Sequence, residues 1–577
     1  MLAPDDALSM TTNKELRMNR RLVTFVLSAC LACVRSPART TPDGHDRLAT
    51  LNDLGKQALM AGDLKGAQAR YEEGLVIARQ LAATHPSPAA QRDLSVSLSK
   101  LGDVAITAGK LEVARARYEE SVGITRELAT TNPTSTRAQC DVSVTVARLG
   151  DVAVKAGDLK EARARYEESL VIARKAAIAD PASAEAQRDL SVSLNKLGDI
   201  AVQAGELGEA RARYEEELAI SRKLAAARPK SAEAQRDLTI ALAKLGDLAL
   251  QAGDVKQARA LYEDDLGVFR KRATADPTSA EAKRDLAVAL TKLGDIAVAA
   301  GDLEEATRRY AEDLPIAREL ATTPTSAEAK RDLNVILNRL GDIAARTGDL
   351  DGARARYEES LAIARKLATD DPTSAEARGD LSLTLRKLGD LAVKAGDLEG
   401  AQARYDEDLG ISRKLAAINP TSAEAQRDLS LCLGKLGDVA VEAGDLGQAR
   451  ARFEEDLAIS RKLAAANPTS LVVQRDVRIS LGKLGEVAFT AGDLEEAKAR
   501  FAEVLAIART LATADPASTE AQRDLIFALI AVGKATRERP YLREALEIAR
   551  SLERSGRLAP RDRGLPAWIA GGIDTLR

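Results

Sequence analysis

Few side chains in this sequence have types and spacing that could support chemistry. The chain has two histidines, His45 and His85, and both lie in sequence typical of loops. Neither lies near cysteines or acidic residues at the spacing of a metal site. The sequence also lacks a Ser/His/Asp grouping, a phosphate-binding loop and an HExxH pattern. We therefore expect no catalytic, cofactor-binding or metal site, and the sequence does not predict an enzyme.

The cysteines fall into two groups. Cys140 and Cys432 lie far apart within repeated sequence and are expected to be small helix residues. Cys30, in contrast, follows Arg20, Arg21 and a short apolar run, which is the layout of a secretory signal. The Leu-Ser-Ala-Cys sequence that ends at Cys30 resembles the bacterial lipobox, in which the cysteine becomes the lipidated first residue of the mature chain.

This resemblance predicts how the amino terminus is organised. Residues 1–29 would be an N-terminal extension with a lipoprotein signal peptide, Cys30 would carry the lipid, and residues 30–45 would be a linker. The protein would then be lipid-anchored in a bacterial cell envelope. The alternative is a cytoplasmic protein with an incidental leader. Because no segment approaches the ~20 apolar residues of a membrane-spanning helix, we expect membrane contact only through this anchor.

The composition predicts an all-α protein that does not bind nucleic acid. Ala, Leu, Arg and Glu dominate, and these residues are strong helix formers. The 84 Lys and Arg nearly balance the 87 Asp and Glu. The resulting net charge of −3 lacks the basic excess of a nucleic-acid-binding surface.

A glycine that follows leucine marks a repeat along most of the chain. This Leu-Gly pair recurs every 48 residues, with 47 at two steps, from Gly55 to Gly485, and Val-Gly replaces it at Gly533. A period of this length is typical of stacked helical units. We assign residues 46–536 to the repeat array. Residues 537–577 lose the repeated sequence and are assigned to C-terminal capping helices.

Unit 181–228 shows why each repeat is expected to be a helix pair. Its first half has apolar residues at steps of three and four, including Leu194 and Leu197, which form one stripe of an α-helix. Gly205 then ends this helix, and a second stripe that includes Tyr214 predicts a second one. The Leu-Gly glycine lies inside the first helix, where it costs about 1 kcal/mol relative to Ala. We therefore expect a partner helix to pack closely against it.

These motifs resemble the tetratricopeptide repeat. The order Leu-Gly-Asp-x-Ala, Ala-Gly-Asp-Leu and Glu-Ala-x-x-x-Tyr-x-x-x-Leu places the family's positions at, for example, Leu197, Gly198, Ala210 and Tyr214. The resemblance covers roughly residues 46–555, although the units here are longer than the family's 34 residues or so. It implies an α-α superhelix, a solenoid of antiparallel helix pairs, similar to bacterial tetratricopeptide repeat proteins and lipoproteins.

The family resemblance also suggests where a partner would bind, because the first helices of this family line a groove. The resemblance predicts that three positions of each repeat face this groove. They are the aspartate after the central glycine, the residue three before that glycine and the residue five after it. The candidates are Asp151, Asp199, Asp247 and Asp295 directly after the glycine, Asn195, Asn338 and Arg386 before it, and Gln203, Gln251, Arg346 and Lys394 beyond it. Groove-facing aspartates would form a ladder of negative charge that favours a basic or extended segment. The alternative is that each aspartate hydrogen-bonds within its own repeat.

Three functions remain open from the sequence. The favoured one is a scaffold that binds partner proteins or peptides in the groove, tethered to a membrane if Cys30 is lipidated. The second is a cytosolic sensor or regulatory module of a bacterial signalling system. The third is an enzyme, for which the sequence offers no motif. The identity of the partner does not follow from the sequence.

Overall fold

The computed structural model describes residues 42–322 and 326–575, and the candidate lipidation site Cys30 lies outside these ranges. The described residues are α-helical apart from short turns and one 3₁₀ turn at Pro560–Asp562. They form two compact units, one that ends at Ala275 and one that starts at Asp276. Within each unit consecutive helices pack against each other, which confirms the predicted all-α class of stacked helix pairs.

The described part of the first unit consists of five helix pairs, and the first member of each pair is called its first helix. The pairs are α1 (Pro42–Met60) with α2 (Leu64–Thr84), α3 (Pro88–Thr107) with α4 (Leu111–Thr131), α5 (Thr136–Ala156) with α6 (Leu159–Ala179), α7 (Ala184–Gln203) with α8 (Leu207–Ala227), and α9 (Ala232–Gln251) with α10 (Val255–Ala275).

The second unit continues the same alternation and ends with a shorter helix. Its pairs are α11 (Ala280–Ala299) with α12 (Leu303–Ala321), α13 (Ala327–Thr347) with α14 (Leu350–Asp370), α15 (Ala375–Lys394) with α16 (Leu398–Ile418), α17 (Ala423–Glu442) with α18 (Leu446–Ala466), α19 (Leu471–Thr490) with α20 (Leu494–Ala514), and α21 (Thr519–Thr536) with α22 (Arg539–Arg554), followed by α23 (Leu565–Thr575). Within the described ranges, none of the helices has both the length and the apolar composition needed to cross a bilayer.

The turns around the pair α7–α8 show why the helices begin and end where they do. Gly205 has a φ of 77°, a left-handed conformation that glycine adopts at little cost. The amide of Glu206 then donates to the carbonyl of Ala201 at 2.8 Å, which satisfies a carbonyl at the helix end. At the start of α7, the Ser183 side chain accepts a hydrogen bond from the Ala186 amide and caps the helix. These local signals repeat in the other pairs and set the helix boundaries.

The core of each repeat is built around an aromatic ring that packs on the central glycine. In the repeat of residues 181–228, Leu194 and Leu197 are 0% and 2% exposed and Tyr214 is 2% exposed. A Cβ atom at Gly198 would lie 2.7 Å from Cδ1 and 2.8 Å from Cζ of Tyr214. Such distances leave no room for a side chain larger than glycine. The expected close approach of a second helix at this glycine is therefore confirmed.

Candidate partner-binding face

The aspartate that follows the central glycine is held by the tyrosine of the second helix. Oη of Tyr214 donates to Oδ1 of Asp199 at 2.5 Å, and the bond measures 2.6 to 2.7 Å in the other repeats that have it. Those repeats contain Tyr118–Asp103, Tyr166–Asp151, Tyr262–Asp247, Tyr310–Asp295, Tyr357–Asp342 and Tyr405–Asp390. Hydrogen bonds to an ionised carboxylate are among the stronger ones in proteins. The bond therefore fixes the second helix on the first.

A basic residue from the following repeat contacts the same carboxylate in most units. This residue directly precedes the Leu-Gly pair, and Nζ of Lys244 lies 2.6 Å from Oδ1 of Asp199. The equivalent pairs are Lys196–Asp151, Arg339–Asp295, Lys387–Asp342, Lys435–Asp390 and Lys483–Asp438. Burial acts to raise the pKa of Asp151, but Lys196 and Arg148 outweigh it and hold that pKa below its usual value. The aspartates thus join one repeat to the next.

These contacts bear directly on the expected acidic ladder. Asp151, Asp199, Asp247 and Asp295 each accept a hydrogen bond within their own repeat, which is the alternative that the sequence left open. The carboxylates therefore do not form a ladder of free negative charge. Binding of a partner at these four residues stays a prediction.

The residues three before the glycine contact neighbouring helices rather than an open groove, which corrects their expected placement. Nδ2 of Asn195 donates to a buried second-helix carboxylate at 3.0 Å. Asn338 is 5% exposed and donates to Oγ of Ser360 at 2.9 Å. Nε of Arg386 lies 3.9 Å from Asp408, which is itself 0% exposed. Residues three apart lie on the same side of a helix, so these side chains share the buried side of the glycine.

The residues five after the glycine lie at the surface. Gln203, Gln251, Arg346 and Lys394 are all exposed, and each ends or nearly ends a different first helix. The positive charges of Arg346 and Lys394 also interact favourably with the negative end of the helix dipole. These four residues are therefore the sequence-predicted candidates that a partner can reach most directly.

A set of buried acidic residues was missed by the sequence reasoning. The third residue after the second-helix tyrosine or phenylalanine is acidic in five repeats, where it is between 0% and 6% exposed: Glu217, Asp265, Asp313, Asp408 and Asp456. Burial raises the pKa of Glu217 to about 8 and that of Asp313 to about 7. The sequence contains a signal for their burial. Each acidic residue directly precedes a leucine of the buried stripe, and the same position holds the small residue serine in other repeats.

An apolar position recurs on the first helices six residues before the central glycine. In the first unit it is half-buried and holds Val96, Val144, Val192 and Ile240. In the second unit, Leu431 on α17, Ile479 on α19 and Phe527 on α21 are 50%, 46% and 40% exposed. We call these last three residues the apolar stripe. On the same helices, Val441 and Phe489 are 39% and 42% exposed. Aligned exposed apolar side chains of this kind often mark interaction sites.

The first unit has a cleft between first helices. The cleft lies among α3, α5, α7 and α9 and has a volume of about 240 Å³. Val96 and Val144 from the recurring apolar position line it, together with charged residues that include Arg92, Asp141 and Asp189. The cleft therefore offers both apolar and charged contacts to a bound segment. Among residues 42–322 and 326–575, no group of three or more His, Cys, Asp or Glu side chains could hold a metal ion.

Comparison with known families identifies the repeat. Three family models, each described as tetratricopeptide repeat, match residues 243–313, 332–407 and 431–455. The matched residues include first helices with the Leu-Gly-Asp sequence and the second helices that pack on them. The chain therefore carries tetratricopeptide repeats. No curated protein matches it.

Solved structures of similar proteins match at low sequence identity. BtubC from P. vanneervenii is 22% identical with a TM-score of 0.34, over 46% of this chain and 93% of that one. The quorum sensor NprR from B. thuringiensis is 12% identical with a TM-score of 0.37, over 72% of this chain and 99% of that one. A signal transduction ATPase with a tetratricopeptide repeat sensor from Pyrococcus horikoshii is 13% identical with a TM-score of 0.38, over 80% of this chain and 71% of that one. At these TM-scores the similarities carry no inference about function.

Proposed function

We propose that the chain is a non-catalytic scaffold that binds an extended segment of a partner protein along its first helices. The observation that carries the proposal is the apolar stripe of Leu431, Ile479 and Phe527, which are 40% to 50% exposed in three consecutive repeats. Burying such side chains against a partner is favourable by roughly 25 cal/mol per Å² of apolar surface. A single exposed leucine would need no explanation, but the same position exposed in successive repeats favours a binding surface.

The repeat geometry supports an extended partner rather than a compact one. The stripe offers one apolar side chain for each helix pair, so a segment that runs along the repeats can place an apolar residue against each of them. Repeat proteins use their extended surfaces in this way. The exposed polar ends of the first helices, such as Lys394, would add contacts with the polar residues of the segment.

The proposal is tested by placing charge on the stripe. We expect Leu431→Glu combined with Ile479→Glu to reduce partner capture at least tenfold in affinity enrichment with quantitative mass spectrometry. Ile418→Glu is the matched control, because Ile418 is 68% exposed at the end of the second helix α16. Exposed positions tolerate such changes within about 0.5 kcal/mol, so thermal melts should stay close to wild type. Undiminished capture by the double variant, or an equal loss in the control, would contradict the proposal.

The proposed location is the bacterial cell envelope, with Cys30 as the lipid-bearing residue. The proposal is supported by the lipobox-like sequence that ends at Cys30. Several acyl chains hold a protein durably on a membrane, whereas one chain holds it only marginally. Lipid labelling and membrane fractionation of the wild type and of Cys30→Ala test this directly. Label and membrane association that vanish in the variant support the anchor, whereas an unlabelled, soluble wild type favours the cytosolic regulatory module.

A further inference from the structure

An arginine–aspartate bridge joins the first helices of consecutive repeats. In the first unit, Nε of Arg92 lies 2.6 Å from Asp141, and Nε of Arg188 lies 2.6 Å from Asp237. The partners are 49 residues apart in both cases. The same bridge recurs in the second unit as Arg331–Asp380, Arg427–Asp476 and Arg475–Asp524, whereas Arg523 pairs with Asp562 on the 3₁₀ turn, 39 residues later. The guanidinium group is thus a regular part of the contact between neighbouring first helices.

Two repeats of the first unit lack this arginine. In one of them His45 takes its place, and Nδ1 of His45 lies 3.1 Å from Oδ2 of Asp93. The other repeat has neither residue. Cys140 occupies the arginine position, and the aspartate 49 residues later is Asp189. Cys140 is 2% exposed, and its thiol is a hydrogen-bond partner of Asp189. A thiol is a weak donor, and it leaves Oδ2 of Asp189 without a hydrogen-bond partner although less than 1 Å² of that atom is accessible. A buried carboxylate oxygen in this state is unfavourable and needs an explanation.

The space that the missing arginine would occupy is open. Asp189 and Cys140 both line the cleft of about 240 Å³ between the first helices. The basic residues nearby are already engaged, because Arg92 pairs with Asp141 and Arg188 pairs with Asp237 and Glu233. Lys100, Arg148 and Arg228 also line the cleft, but none of the ion pairs in the described part of the chain includes Asp189.

We propose that Asp189 receives the guanidinium group of an arginine from the bound partner, in the position that Cys140 leaves open. This inference rests on the proposed function, since the arginine arrives on a partner segment that lies along the first helices of the first unit. A guanidinium is favoured over other cations because its forked donors form the equivalent bridges elsewhere in the chain.

The titration of Asp189 fits this role. Burial raises its pKa to about 7, and the neighbouring Glu185 and Asp141 add to the rise while Arg188 opposes it. A guanidinium bound to the Asp189 carboxylate from the cleft would favour the ionised form and lower the pKa again. The site is thus a carboxylate that lacks only its cation.

A repeat of the second unit provides a matched control, because it also lacks the arginine. Gly379 occupies the arginine position, and the aspartate 49 residues later is Asp428. There Nη1 of Arg386 lies 3.1 Å from Asp428, so this carboxylate already has a cation. A Cβ atom on Gly379 would meet no atom within 4 Å, so a side chain can be added.

The test compares two pentapeptide probes on the full chain by ligand-observed NMR titration. One probe is acetyl-Ala-Ala-Arg-Ala-Ala-amide, and the other carries citrulline, a neutral analogue of arginine, in place of Arg. We expect the wild type to bind the arginine probe at least tenfold more tightly. Asp189→Asn should abolish this preference. Cys140→Arg should abolish it too, because the array then supplies its own guanidinium, and should also raise the melting temperature. Gly379→Arg should leave the preference unchanged.

Equal binding of both probes by the wild type would overturn the inference. A preference that survives Cys140→Arg, or that Gly379→Arg abolishes equally, would overturn it as well. Because Cys140→Arg is expected to be more stable than wild type, loss of folding cannot account for its effect.

The stripe variants separate this inference from the proposed function. Partner capture that depends on Leu431 and Ile479 without an arginine preference would refute only the arginine site, and the reverse pattern would refute only the proposed function.

Discussion

Replacement of the central glycine tests the packing that holds each helix pair together. In Gly198→Ala, the new methyl group would lie 2.7 Å from Cδ1 of Tyr214, whereas ordinary contacts begin near 3.4 Å. Cε1 of the ring would lie closer still, so the ring would have to withdraw by more than about 0.7 Å, but it is 2% exposed and its hydroxyl is bonded to Asp199. Overpacking of this kind costs up to ~3 kcal/mol, and the better helix propensity of Ala returns ~1 kcal/mol. We expect a net loss of about 2 kcal/mol in the free energy of unfolding.

A matched glycine in another repeat of the first compact unit should respond in the opposite direction. Gly123 lies inside the second helix α4 and is exposed, and a Cβ atom there would meet nothing within 4 Å. Gly123→Ala should therefore stabilise the chain by up to ~1 kcal/mol. Denaturant unfolding gives the overall change, and hydrogen exchange of peptides from α7 and α8 locates it, since repeat arrays can open locally. A Gly198→Ala chain as stable as Gly123→Ala would refute the packing argument.

Three further predictions concern the core of the same repeat. Tyr214→Phe removes the donor to Asp199 and should lower the free energy of unfolding by ~1–3 kcal/mol in denaturant titrations; an unchanged midpoint would show that the bond contributes little. Leu194→Ala, at a side chain that is 0% exposed, should cost ~2–5 kcal/mol in the same assay, and a melt without loss would refute its assignment to the core. Glu217→Gln should stabilise the chain in a pH-dependent way, because the pKa of Glu217 is raised from 4.5 to about 8 by burial. A raised pKa means that the stability contributed by neutral Glu217 is complete below pH 4.5 and is lost as the pH rises towards 8. The variant's advantage in melting temperature should therefore be larger at pH 8.5 than at pH 5, and an equal advantage at both would contradict the assignment.

Much of the helical framework is predictable from the sequence because its determinants are local. Gly205 and the apolar stripes on either side of it predict the boundary between α7 and α8, which the structure confirms. The mid-helix glycine likewise predicts a close contact, since its helix-propensity cost needs a compensating reason. Tyr214 is the residue that makes this contact with Gly198.

The polar contacts between helices could not be predicted in the same way. Whether Asn195 faces a groove or the second helix depends on a rotation of about one residue, or ~100°, which periodicity alone does not fix. The contact of Lys244 with Asp199 joins two repeats and has no signature within either one. The sequence marks Cys140 only as an ordinary helix residue, and the Arg–Asp bridge of the other repeats shows what it replaces.

The central claim is that the partner lies along the first helices, and site-specific photo-crosslinking tests it most directly. A benzophenone side chain is introduced at Ile479 in the apolar stripe and, as the comparison, at Ile418 on the second helix α16, both of which are exposed. We predict that ultraviolet light links a partner to position 479 and leaves position 418 unlinked. A partner that is linked from position 418 and never from position 479 would contradict it.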